Sequence, residues 1–150
     1  MASPNLSSVL NFFQSKPSEE EQNELAQEVM LMVLARATSA DTNIKDVEIE
    51  KVREVLKEHL NVDYEAADVR VAANSELYMN TSLKKYLSYR AIKMRTSDKV
   101  ETVQALAEVI NVDGRVSSLE IDFFNDVAEA LALTPAEIMG LNQEVSVRGG

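Results

Sequence analysis

The chain has 150 residues, 45% of them hydrophobic and 27% charged, a globular balance and not that of a disordered chain, which suits one domain with its own core. Its 25 acidic against 15 basic residues give a net charge of −10, which repels nucleic acid phosphates and anionic lipid and attracts cations or basic partners. Without cysteine there are no disulfides, thiolate zinc sites or cysteine nucleophiles; no stretch has the length of a membrane helix or the pattern of a signal peptide, so the expected location is the cytoplasm.

Only four glycines and three prolines interrupt a chain rich in alanine, leucine and glutamate, and this predicts helices throughout. Leu6, Val9, Leu10 and Phe13 form one apolar stripe of a short first helix ending near Gln14. Pro17-Ser18 opens the second helix, with Glu21 completing a capping box, and the apolar run Val29 to Ala35 marks it as buried. A polar break over Thr38 to Lys45 precedes a helix with Ile49, Val52, Leu56 and Leu60 on one side. The next helix starts after Asp63 and is expected to reach Tyr78. After a break at Asn80-Thr81-Ser82, Leu83, Tyr86 and Leu87 predict a helix to about Met94. Thr96-Ser97-Asp98 reads as the cap of a second buried helix through Val100, Val103, Leu106 and Ile110. A loop over Asn111 to Ser117 leads to a helix with Phe124, Val127, Ala128 and Leu131 on its face. Thr134-Pro135, with Glu137 in the capping-box position, opens the last helix, and the tail beyond Val145 is expected to fray.

The informative feature is a repeat at an offset of 72 residues. Leu34-Ala35 matches Leu106-Ala107, Asp41 matches Asp113, and Glu48-Ile49 matches Glu120-Ile121, with Ile44/Val116 and Val47/Leu119 as conservative matches. Two copies make a duplication rather than a solenoid, and two such halves in one domain are expected to pack about a pseudo-two-fold axis. In each half the Asp ends a buried helix and the Glu lies in the first turn of the next. Symmetry would then gather four carboxylates. Like charges about 4 Å apart cost on the order of 4 kcal/mol at an effective dielectric near 20, so a cluster of this kind needs protons, cations or basic partners. Oxygen-only ligands favour calcium, magnesium or manganese over zinc.

A second reading of the same acids stands beside the first. Ser117 and Glu120 form a capping box, Glu48 favours a helix N-terminus through the dipole, and Asp41 and Asp113 are ordinary loop-opening residues. The second loop also matches part of an EF-hand, with Asp113, Gly114 and Glu120 at positions five, six and twelve and Asn111 at position three. Position one is Val109, which cannot ligate, and the first loop lacks both the first acid and the glycine. Neither loop is an EF-hand; each is at most half of a cation cage.

Leu-Ala-x5-Asp-x2-Ile/Val-x3-Glu-Ile, twice in an acidic helical chain of this length, resembles the TerB-like tellurite-resistance family, to which the N-terminal domain of the DjlA membrane co-chaperone also belongs. The resemblance covers about Glu20 to Leu141, and Val112 to Glu120 is its most specific part. It implies an all-α, compact bundle of about seven helices, internally duplicated, forming a single domain over 1–150 with halves near 20–79 and 97–145. It also implies a cation-binding cluster at Asp41, Glu48, Asp113 and Glu120. The expected role is a bacterial, non-enzymatic adaptor near the inner membrane face, linked to tellurite and other chemical stress through protein partners. Thr42 replaces the glycine after Asp41, a departure that weakens the first half-site.

Other chemistry finds little support. His59, the only histidine, takes the place of Leu131 in the repeat and is expected to be a partly buried packing residue. No Glu-x-x-His, phosphate-binding glycine loop or nucleophile elbow occurs. The basic stretch Lys84, Lys85, Arg90, Lys93, Arg95 and Lys99 reads as a solvated helix face, with docking to an acidic partner or membrane as the alternative. Tyr78, Tyr86 and Tyr89 read as packing residues.

Overall fold

A computed structural model of the chain describes residues 18–38, 48–74, 82–110 and 118–137, apart from the side chain of Leu119. Its regular elements are all helices: α1 (Glu19–Ala37), α2 (Ile49–Leu60), α3 (Ala66–Ala73), α4 (Leu83–Ala91), α5 (Thr96–Ile110) and α6 (Ser118–Ala130). A seventh helical segment opens at Pro135. The protein is all-α, with no strand among the described residues. The expected helix over Leu6–Gln14, the loops at 39–47 and 111–117, the segment 75–81 and the tail beyond 137 lie outside those residues.

Local chemistry sets the helix ends. The Ser18 hydroxyl accepts from the Glu21 N–H at 3.1 Å while the Glu21 carboxylate accepts from the Ser18 N–H at 3.2 Å, the reciprocal box expected there. Thr134 and Glu137 repeat it at 3.2 and 2.8 Å. Three boundaries differ from expectation. Helix α3 stops at Ala73 rather than Tyr78: the Asn74 N–H and its side-chain amide both donate to the Arg70 carbonyl, at 3.1 and 2.9 Å, as the Asn74 backbone leaves helical angles (φ −114°, ψ 17°). Helix α4 stops at Ala91, where the Lys93 and Met94 N–H groups bond three residues back in a turn. Helix α5 already includes the Thr96-Ser97-Asp98 run expected to cap it: the carbonyl of Arg95, the residue before it, accepts from the Lys99 N–H at 3.1 Å, and the Arg95 guanidinium donates to Asp98 at 2.8 Å.

Two buried helices make the centre. Val29, Met30, Val33, Leu34 and Ala35 of α1 pack with Val103, Ala105, Leu106 and Val109 of α5, and this is the most extensive contact that α1 makes. Leu31 and Met32 are only half covered, so α1 is not apolar-facing all round. Helix α2 lays Val52, Val55 and Leu56 across α1, α3 and α5, whereas α4 contributes Tyr86 and Leu87 and leans on α1 and α6. Val127, Ala128, Leu131 and Leu133 at the end of α6 complete one continuous apolar cluster. Full burial of each leucine contributes about 1.5–3 kcal/mol, so the central pair carries much of the stability.

Candidate functional site

Of the four acids in the repeat, the described residues include Glu48 and Glu120; Asp41 and Asp113 lie outside them. The two glutamates occupy different local positions. Glu48 is the residue before α2, extended (φ −98°, ψ 145°) and exposed, with no hydrogen bond from its side chain to the helix end. It therefore does not lie in the first turn, and it acts on α2 through its charge alone. Glu120 is the third residue of α6 and only 5% exposed, one of two buried polar residues among those described, and its side chain is engaged within the chain. The different placement follows from the helix starts: α6 begins three residues earlier in the repeat frame than α2 does. Among the described residues no group of three His, Asp or Glu is disposed to hold a metal ion. Those residues contain only half of the expected ligand set.

His59 has a more specific environment than a packing residue. Its ring, 13% exposed, projects from the last turn of α2 between two glutamates of α5. Nε2 hydrogen-bonds to Glu108 and Nδ1 lies 3.7 Å from Glu101. The carboxylates flank opposite ring nitrogens, so the arrangement clamps α2 to α5 and has no common point for a metal. Glu101 and Glu108 are seven residues apart, hence on one helix face, which was visible in the sequence; which helix they would meet was not.

A second polar clamp joins α1 to α4. The Tyr86 hydroxyl donates to Glu28, the Arg90 Nε reaches the same carboxylate oxygen at 3.1 Å, and the guanidinium lies 5.2 Å from the centre of the Tyr86 ring. Burial first, then the bond to Glu28, pushes the Tyr86 phenol well above the ordinary tyrosine range. Tyr89, expected to pack, instead faces solvent at 66% exposure.

A shallow cleft of about 200 Å³ opens between the end of α1, the start of α4 and α6. Leu83, Leu87, Phe123 and Val127 form its floor, with Ser82, Arg36, Lys84 and Asp126 around the rim. Lys84 is tied to Asp126 and Glu129 at 4.0 and 3.7 Å. The lining offers apolar contact and charge, but no nucleophile paired with a base.

The family model described as tellurite resistance protein TerB matches residues 27–143, which takes in both copies of the motif. No curated protein and no solved structure matches the chain.

Proposed function

Because the chain belongs to the TerB tellurite-resistance family, we propose that it is a non-enzymatic cytoplasmic adaptor that binds a divalent cation through Asp41, Glu48, Asp113 and Glu120. It serves the response to tellurite or related chemical stress by docking protein partners at the inner face of the membrane. The observation that carries the cation half of this reading is the burial of Glu120. A carboxylate removed from water needs hydrogen bonds, a proton or a cation to compensate its charge; Glu120 already has an interaction within the chain, and a cation would add to it. Its counterpart by repeat, Glu48, is exposed and has no bond to its own helix end, so it is free of a capping duty. Calcium, magnesium or manganese suits an all-carboxylate set; zinc suits it less.

The test is thermal melting of the full chain at fixed ionic strength with calcium, magnesium, manganese or zinc. A cation at a hundred times its dissociation constant stabilises by about 2.7 kcal/mol, which for a chain of this size raises the melting temperature by about 5–10 °C. Asp41→Asn with Asp113→Asn should remove that rise. No response to any of the four cations, or an equal response in the double variant, refutes the site.

One observation favours a second reading, an interaction bundle whose acids only cap helices. Glu120 stands at the third position of α6, where a capping-box glutamate belongs. Glu120→Gln separates the two, since glutamine serves a capping box equally well. If capping is the whole role, the variant melts as the parent does with and without cation; as a ligand, Glu120 takes the cation response with it.

A further inference from the structure

The basic stretch is not uniformly exposed. Lys84 is held by Asp126 and Glu129, Arg90 by Glu28, and Arg95 by Asp98 and Asn23. Lys85 and Lys93 are exposed and form no ion pair within 4 Å among the described residues, although Lys93 is near enough to Glu21, in the first turn of α1, to help hold that carboxyl below its ordinary range after the Ser18 hydrogen bonds. Between them on the same side of α4 are Tyr89 and Ile92, 66% and 80% exposed. Ile92 keeps helical backbone angles (φ −56°, ψ −34°), so positions 85, 89, 92 and 93 continue one face across the helix end. Large side chains that exposed, flanked by two lysines without a close ion pair on a molecule of net charge −10, form a feature that neither the core nor the acid set uses.

We propose that Lys85, Tyr89, Ile92 and Lys93 form a docking strip for an acidic protein segment that carries an apolar residue between its carboxylates. The shape of the surrounding charge selects this occupant. Glu28 on the α1 side, with Asp126 and Glu129 on the α6 side, bounds the strip with exposed acids. A flat anionic membrane would meet those ridges together with the two lysines, each of which contributes only about 1 kcal/mol near such a surface. A narrow peptide meets the strip alone. At physiological ionic strength fields fade within about 8 Å, so the local lysines rather than the total charge govern that contact. The lysines stand eight residues apart, about 12 Å along the helix axis, which two turns of a partner helix span with an apolar side chain between. Tyr89 and Ile92 supply the aromatic and aliphatic anchor that carries most of the energy in small interfaces.

This inference rests on the adaptor half of the proposed function and is independent of the cation. A fluorescent peptide of alternating glutamate pairs and leucines is titrated with the full chain and read by anisotropy, beside an all-glutamate peptide, a lysine–leucine peptide, and vesicles with and without phosphatidylserine. The glutamate–leucine peptide should bind best. Ile92→Ser, and separately Lys85→Glu with Lys93→Glu, should weaken it about tenfold or more, while Lys57→Glu on α2 leaves it unchanged; circular dichroism melts confirm that each variant is folded. Absence of binding, or equal binding by folded variants, overturns the proposal. So does vesicle binding that depends on the strip without peptide binding, or a dimer in sedimentation that Ile92→Ser abolishes. Failure of the cation melts with success here would remove the metal site and leave the adaptor; the converse would leave the metal site alone.

Discussion

Ala132 shows how a single backbone angle becomes a measurable energy. It adopts a left-handed conformation (φ 59°) at the end of α6, where its N–H bonds to the Glu129 carbonyl at 2.9 Å and the Leu133 N–H reaches back to Ala128 at 3.1 Å. This is a Schellman ending, which glycine prefers because a Cβ crowds the carbonyl in that region. Ala132 is exposed, so Ala132→Gly removes the crowding without opening the core. It should raise stability by about 1 kcal/mol in urea denaturation; a lower midpoint would mean the turn is not strained. Tyr86 gives a pH-dependent counterpart. Its phenol stays neutral in the folded chain at a pH where an unfolded tyrosine, with pKa about 10, ionises. That contribution is complete below about pH 10 and is lost as the pH rises toward the folded value. Tyr86→Phe should lose about 1 kcal/mol at neutral pH and show a shallower decline above pH 10. Tyr64, pushed up by burial and then by Asp68, keeps a residual slope in the variant. Denaturant melts across that range give the answer, and an unchanged alkaline slope would mean that Tyr86 is not protected.

At the scale of elements, periodicity and capping chemistry were enough to find six helices and the buried pair. Val29 to Ala35 and Val103 to Ile110 announce burial by apolar content alone, and Ser18-x-x-Glu21 and Thr134-x-x-Glu137 announce helix starts by reciprocal hydrogen bonds. The sequence was least informative where a side chain acts against its own helix. Asn74 closes α3 with its amide on the Arg70 carbonyl, and α5 takes in Thr96 and Ser97, the usual capping types, while Arg95 stands before it and donates to Asp98. Contacts between helices were equally hidden. Nothing along the chain pairs His59 with a helix that starts nearly forty residues later, or marks Tyr89 as outward-facing while Tyr86, three residues before it, is buried. Of the candidate site, the residue types and the repeat were legible, but not the unequal burial of Glu48 and Glu120, which depends on where each helix begins. The His59 clamp yields its own prediction. His59→Ala and Glu108→Ala, combined in a double-mutant cycle, should show a coupling of about 1 kcal/mol, since Glu108 remains partly solvated. A coupling near zero would mean that α2 is held to α5 by apolar packing alone.

For the molecule as a whole, the decisive quantities are the charge of −10 and its distribution. Asn23 and Arg95, which occupy the same place in the repeat frame, meet at 2.9 Å between the central helices, a contact that a nearby two-fold axis would generate. Such an axis would draw the matching acids of both halves together and concentrate the repulsion that the net charge already imposes. Sodium chloride should therefore raise the melting temperature from low ionic strength and then level off, because the screening length falls from about 30 Å at 0.01 M to about 10 Å at 0.1 M. Part of this rise comes from acids spread over the surface and is indifferent to which cation is added. The part that belongs to a gathered cluster behaves differently: Asp41→Asn with Asp113→Asn should raise the low-salt melting temperature and reduce the salt increment. If the double variant keeps the full increment, the repulsion is diffuse, the matching acids are not close, and the duplication has left two separate loops instead of one shared pocket.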